Sequence, residues 1–161
     1  MFSLEESDAC PISWNDGFAN CPLEQPNTFN IEGGCFLFND EKKNYNDAKS
    51  FCEGKIAFNG RPGRLVEPKT TTINKLICEK AKIVFGDSFG YFIGVNDISS
   101  EGSWVYSSTG LSATTMFDCS SNCQPNGKTG ENCADVGGAC GFEETWCDRP
   151  CNALNQIVCE F

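Results

Sequence analysis

Apolar side chains recur at helical spacing in two stretches of this chain, residues 45–52 and a segment that follows Pro68. Spacings of three and four positions predict two helices. Asn39 or Asp40 is available as the N-cap of the first helix, and Pro68 can open the second at its first position. The two patterns comprise Tyr45, Ala48, Phe51 and Cys52, then Ile73, Leu76, Ile77, Lys80 and Ala81, with Cys78 beside the second.

Short apolar runs predict strands around these helices. They cover residues 35–38, 64–66, 91–95, 103–106 and 156–161. Residues 107–145 instead carry many Ser, Thr, Gly and Asn residues with little periodicity, and they include four cysteines. A stretch that long without regular structure is usually functional or cross-linked. The order of elements indicates an α+β fold rather than alternating βαβ units.

Length and composition indicate one domain. The 161 residues contain no linker, and 40% hydrophobic residues, with thirteen Phe, suffice for a core. No run approaches the roughly 18 apolar residues that cross a bilayer, so we expect no membrane insertion. The segment Met1–Glu6 has neither a basic nor an apolar region of a signal peptide. We therefore expect that a leader preceded this numbering or that Met1 was added for expression.

Twelve cysteines in a chain of this length indicate disulfides formed in an oxidising compartment, hence a secreted, extracellular protein. A zinc site is the alternative interpretation. The pairs Cys119-x3-Cys123 and Cys147-x3-Cys151 could be taken for metal knuckles. Structural zinc sites usually have the tighter C-x2-C spacing, often with histidine, so disulfides are favoured.

The formal charge of −10 argues against nucleic acid and anionic membrane surfaces as partners. Acidity in a secreted domain suits Ca2+, which prefers carboxylate and amide oxygens. The chain has no histidine, which removes Ser-His and Cys-His nucleophile pairs and histidine-bound metals. We expect no enzymatic activity; a catalytic carboxylate pair is the remaining route to one.

Three motifs, taken in order, resemble C-type lectin-like domains. Residues 92–95, Phe-Ile-Gly-Val, resemble the W-I-G-L core strand. Residues 124–126, Gln-Pro-Asn, resemble the E-P-N or Q-P-D sugar-site tripeptide. Residues 146–148, Trp-Cys-Asp, followed by Cys151 and the ending Cys159-Glu160-Phe161, resemble W-N-D…C…C-E-F. The resemblance covers residues 21–161 and leaves residues 1–20 as an N-terminal extension. It implies a C-type lectin-like fold, with two helices packed on short antiparallel sheets and a long disulfide-stapled loop region.

The resemblance also implies three disulfides by position, Cys52–Cys159, Cys133–Cys151 and, from long-form members, the N-terminal hairpin bond Cys21–Cys35. A rival for the hairpin exists, because Cys10-Pro11-x-x-Trp14 followed by Cys21 mimics its first half. Six cysteines stay unassigned and allow fifteen connectivities. They are Cys10, Cys78, Cys119, Cys123, Cys140 and Cys147. Fish type II antifreeze proteins, which share the fold, also carry extra bridges around this loop.

A calcium site is implied by the same positions. Gln124, Asn126, Glu131 and Asp148 match the residues with which the family binds Ca2+ and, through the ion, two vicinal sugar hydroxyls. The alternative for residues 124–126 is a simple turn. An auxiliary calcium site is suggested by Asp97, Glu101 and Asn132, although the first two could be ordinary loop acids. We expect Trp104 and Trp146 to be core residues rather than sugar-stacking ones.

Two departures weaken the match to sugar-binding relatives. Cys147 replaces the asparagine of W-N-D, which loses an amide ligand. The Gln-Pro-Asn tripeptide brings no carboxylate, and it combines the galactose-like Gln124 with the mannose-like Asn126. Sugar class is therefore ambiguous. We interpret the chain as a calcium-dependent carbohydrate-binding lectin domain; the alternative keeps the fold but binds protein or ice without calcium-mediated sugar recognition.

Overall fold

Eight strands and two α-helices make up the part of the chain that a computed structural model describes, which is residues 21, 25–57, 60–117, 124–137 and 145–161. The expected extension 1–20 lies outside these residues, as do Cys119, Cys123 and Cys140. The strands are β1 Thr28–Ile31, β2 Gly34–Lys43, β3 Arg64–Leu65, β4 Gly90–Asn96, β5 Val105–Tyr106, β6 Cys133–Gly137, β7 Trp146–Arg149 and β8 Asn155–Glu160. No helix among the described residues is long and apolar enough to cross a membrane.

Both helices form as the apolar spacing predicts, but their first residues differ from the prediction. Helix α1 spans Tyr45–Glu53, and its N-cap is Asn44, whose side chain accepts a hydrogen bond from the amide of Asp47 at 2.9 Å. Asn39 and Asp40 are wrong as caps, because β2 continues through them to pair with β8. Helix α2 spans Thr71–Phe85 and is capped by Thr70 rather than opened by Pro68.

The sheet has the order β1-β2-β8-β4-β6-β7, with β3 also paired to β8 and β5 to β4. All pairs are antiparallel except β4 with β8, so the predicted antiparallel strands join one mixed sheet. Strands β1, β6 and β7 were not predicted; the sequence pattern indicated a loop over residues 1–34, where β1 lies. All five residues of β6 are buried, including Asp135, so this strand lacks the alternation of polar and apolar residues that marks a half-buried strand.

Two clusters of buried side chains form the core, one under each helix. Helix α2 contributes Ile77 and Ala81 to the first, and α1 contributes Tyr45 and Ala48 to the second. Burying one such Ile side chain stabilises the fold by about 1.5–3 kcal/mol. Trp104 and Trp146 are 8% and 0% exposed, which confirms the prediction that both are core residues.

The three disulfides that the family resemblance implies are all formed between described residues: Cys21–Cys35, Cys52–Cys159 and Cys133–Cys151. The second ties α1 to β8 across 107 residues. In the chain-entropy account, closing a loop of about 100 residues stabilises a fold by about 4.7 kcal/mol. The third joins the start of β6 to the turn before β8 and holds the end of the sheet that carries the candidate site.

Candidate calcium and ligand site

The candidate site is built on a loop that the carboxylate of Asp148 holds against β7. Both oxygens of Asp148 accept a hydrogen bond from the amide of Asn126, each at 2.9 Å. Oδ2 also accepts one from the amide of Gly127 at 2.6 Å. The side chain is 2% exposed, and the peptide bond between Gln124 and Pro125 is cis. A sequence-predicted ligand on β7 therefore contacts the loop that carries the two predicted amide ligands.

A short 3-10 turn, Lys128–Gly130, lies between Gly127 and Glu131 and brings Glu131 back to the same loop. A Cβ atom at Gly127 would collide with the Glu131 side chain, so the carboxylate packs directly against the Gly127 backbone. Only glycine permits this approach. Asn126, Glu131 and Asp148 are thus brought together at one end of β6 and β7. Gln124, half-buried, lies at the start of this loop, while Asn126 is exposed.

The electrostatics of the site favour a cation. Burial raises the pKa of Glu131, and the charge of Asp148 raises it further, whereas Arg149 lowers it. A divalent ion between the two carboxylates would relieve their repulsion. Among the described residues, no three His, Cys, Asp or Glu side chains cluster closely enough to hold a metal. Side-chain amides would therefore have to supply part of a calcium shell, as the predicted set of two carboxylates and two amides does.

The predicted auxiliary residues are brought together in part. The amide of Asp97 donates to the carbonyl oxygen of Asn132 at 3.2 Å, and Asp97 Oδ2 accepts from the amide of Gly102 at 2.8 Å. Oδ1 of Asp97 and Oδ1 of Asn132 are both buried and accept no hydrogen bond from a described residue. Leaving such oxygens unsatisfied costs about 1–3 kcal/mol each, and a bound cation would satisfy them. Glu101 is exposed.

Comparison with known proteins identifies the family. Residues 41–161 match the family described as Lectin C-type domain. The chain belongs to this family. Tetranectin from Bos taurus is 32% identical over 127 residues, which are 79% of this chain and 59% of tetranectin. The C-type lectin mannose-binding isoform of Oxyuranus scutellatus is 26% identical over an alignment of 164 positions, gaps included, which covers 99% of this chain and 89% of that protein.

Solved structures of similar fold include an antifreeze protein. A Ca2+-dependent type II antifreeze protein in its Ca2+-free form superposes with a TM-score of 0.67 at 19% identity, over 84% of this chain and 98% of that one. At that identity the likeness shows the fold alone. The C-type lectin-like fold predicted from the motifs is confirmed.

Cys147 bears on which residues of this C-type lectin domain can bind a metal. It occupies the position of the asparagine in W-N-D, beside Asp148, and it is disulfide-bonded. It therefore has no thiolate to offer a metal, and the amide ligand that relatives have at this position is lost. Calcium binding through residues 124–148 would have to rely on the four predicted ligands, Gln124, Asn126, Glu131 and Asp148.

Sequence reasoning missed Asp135, which lies in β6 behind the candidate site. The residue is 1% exposed, its Oδ2 accepts a hydrogen bond from Asn155 at 2.8 Å, and it faces Arg149 Nε at 3.4 Å. Burial raises its pKa to about 7, against the opposing effects of Asn155 and Arg149. The sequence contains twenty-two acidic residues, and no local pattern marks Asp135 as buried, because the strand pairing that buries it is non-local.

Proposed function

We propose that this C-type lectin domain binds carbohydrate through a calcium ion held by Gln124, Asn126, Glu131 and Asp148. The main support is the contact of the Asp148 carboxylate with the amides of Asn126 and Gly127. That contact, with Glu131 against Gly127, sets two carboxylates at the loop that supplies the two amide oxygens. Ca2+ takes 6–8 oxygen ligands, so vicinal sugar hydroxyls and water would complete its shell.

A second calcium ion is proposed at Asp97, Asn132 and Glu101. Support comes from two buried oxygens to which no described residue donates a hydrogen bond, Asp97 Oδ1 and Asn132 Oδ1. Asn132 directly follows Glu131, so an ion here would also hold the carboxylate of the first site in place. Glu101 would have to turn inward to join the shell, because it is exposed.

The class of sugar that is bound depends on which sugar hydroxyls can form hydrogen bonds with the side-chain amides of Gln124 and Asn126. The tripeptide mixes the galactose-type and mannose-type patterns, so both classes belong in the binding assay. One similar protein, from Oxyuranus scutellatus, is named as mannose-binding. We propose extracellular action, because the disulfides of the described residues need an oxidising compartment.

Isothermal titration calorimetry with Ca2+, then with mannose-type and galactose-type monosaccharides, tests the proposal. Glu131→Gln should weaken calcium affinity at least tenfold, since it removes one of two carboxylates, and should weaken sugar binding in parallel. Glu79→Gln is the matched control. It makes the same chemical change away from the loop, because Glu79 is exposed on α2. Absence of calcium binding at millimolar concentration would overturn the proposal.

A second candidate function is recognition of ice or of a protein surface without calcium. The bonded Cys147 supports it, because it removes one amide ligand from the calcium shell. Thermal hysteresis that persists in EDTA would favour ice binding. Loss of the activity in EDTA would instead favour calcium-dependent recognition.

A further inference from the structure

Asn126, one of the proposed calcium ligands, is followed directly by Gly127, and this pair makes the asparagine chemically labile. Asparagine is among the thermolabile residues, because the nitrogen of the next peptide group can attack its side-chain amide. A glycine at the next position favours the attack, since it has no Cβ beside that nitrogen and its backbone turns freely. The sequence contains one other such pair, Asn59-Gly60.

The structure leaves Asn126 accessible to this reaction. The residue is exposed, and residues 124–127 belong to neither a helix nor a strand, so water reaches the side chain. The N–H of Gly127 donates to Oδ2 of Asp148 at 2.6 Å. A carboxylate therefore lies at the nitrogen that has to give up its proton before it attacks. Asp148 is placed to act as the general base for that step.

The reaction needs no reactant other than water. The Gly127 nitrogen forms a bond to Cγ of Asn126, and its proton passes through the Asp148 carboxylate to the side-chain nitrogen, which leaves as ammonia. One water molecule then opens the resulting five-membered imide. Cleavage between Cγ and nitrogen restores the backbone and gives aspartate, whereas cleavage at the main-chain carbonyl gives isoaspartate. Either product carries one new carboxylate and releases one proton.

The new carboxylate would lie beside the two that the proposed site already has. The amide of Asn126 donates to both carboxylate oxygens of Asp148, each at 2.9 Å, and Glu131 packs against the Gly127 backbone. Three negative charges this close together repel one another, and a divalent cation relieves the repulsion. Calcium affinity rises with the number of charged ligands. Conversion of Asn126 to aspartate would therefore tighten calcium binding.

We propose that Asn126 is a site of deamidation, and that its conversion to aspartate changes a calcium site of two carboxylates into a tighter site of three. The effect on affinity rests on the calcium site proposed above, whereas the reaction itself does not. Newly made and aged protein would then need different calcium concentrations to fill the site. The change would be irreversible, because the ammonia is lost.

The reaction is tested by incubating the protein in EDTA at neutral pH and body temperature. Peptide mapping by mass spectrometry follows the replacement of nitrogen by oxygen at Asn126. We expect conversion in the folded protein at a rate comparable to that in the reduced, denatured chain, because the Asp148 carboxylate offsets the restricted backbone. Conversion at Asn126 only after denaturation would overturn the deamidation site, whatever the calcium affinity.

The effect on calcium is tested with Asn126→Asp, which makes the product directly. Calorimetry should show calcium binding about tenfold tighter than in the wild type, equivalent to about 1.4 kcal/mol. Asn30→Asp is the matched control and should change affinity less than twofold. Asn30 is exposed in β1, at the opposite edge of the sheet from β7, and an aspartate there keeps the oxygen that accepts from the amide of Gly33.

The outcomes separate this inference from the proposed function. If both wild type and Asn126→Asp bind calcium with equal affinity, the calcium effect alone is overturned. If neither binds at millimolar concentration, the proposed function is wrong and the calcium effect is wrong with it. If only Asn126→Asp binds, the function proposed for the unconverted chain is wrong and this inference stands. Should the variant fail to fold, the aspartate fraction of aged wild-type protein, separated by anion exchange, is titrated in its place.

Discussion

Replacement of Asp135 by asparagine would test how one buried carboxylate sets the pH dependence of stability. Asp135 is 1% exposed in β6, with Asn155 donating to it and Arg149 facing it. Burial raises its pKa from 3.8 to about 7; the nearby charges of Glu131 and Asp148 add to the shift, and Asn155 and Arg149 oppose it. Asparagine keeps an oxygen that can accept from Asn155 and removes the titrating group.

The sign and size of the effect follow from proton linkage. Between pH 4 and pH 7 the folded state holds a proton on Asp135 that the unfolded state has released. The free energy of unfolding therefore falls as pH rises through this window, with a limiting slope of about 1.4 kcal/mol per pH unit. The shift from 3.8 to about 7 corresponds to a total loss of about 4 kcal/mol, complete above pH 7.

Chemical denaturation at half-unit steps from pH 4 to pH 8, in EDTA, measures the effect. The wild-type protein should lose about 4 kcal/mol across the series relative to Asp135→Asn. Taking the difference between the two proteins cancels other groups, including Glu131, whose pKa is also raised by burial. A difference that stays constant with pH would refute the argument, because it would mean that Asp135 titrates alike in the folded and unfolded states.

Two further predictions address the core and the loop. Ile77→Ala should lower the free energy of unfolding by about 2–5 kcal/mol, because Ile77 is 0% exposed. Ile83→Ala, at a site 76% exposed on the same helix, should change it by less than about 0.5 kcal/mol; equal effects in denaturant melts would contradict the described packing. Gly127→Ala should weaken calcium binding in calorimetry, because its Cβ would displace Glu131. Unchanged calcium affinity would argue against the tight packing of Glu131 on Gly127 as a requirement for calcium binding.

The sequence predicted the fold where the signal was local or carried by family motifs. Both helices follow from apolar spacing, and β4 follows from the continuous apolar run at residues 91–95. The disulfide Cys52–Cys159 came from the family resemblance, since no local pattern relates residues 107 positions apart. The cap of α1 was misplaced because β2 extends to Lys43, a length that depends on pairing with β8.

The candidate site was predicted less completely, because its geometry depends on non-local pairing. Strand β6 pairs with β7 in a register that sets Ala134 opposite Asp148 and Asp135 opposite Cys147. That register decides which buried carboxylate contacts the loop and which contacts Asn155 and Arg149, and no single-sequence pattern reports it. The hydrogen bonds from Asn126 and Gly127 to Asp148 likewise involve backbone amides, which every residue type but proline possesses.

The bond between Cys52 and Cys159 has a consequence for how this domain would withstand cleavage. Exposed loop positions such as Leu111, at 67% exposure, are where proteases cut most readily. A single cut between residues 60 and 117 would leave one fragment containing Cys52 and another containing Cys159, still joined covalently. The nicked protein would run at its original mass until it was reduced. The same disulfide keeps the two ends of the domain joined even when the surface loops between them lengthen or change in sequence.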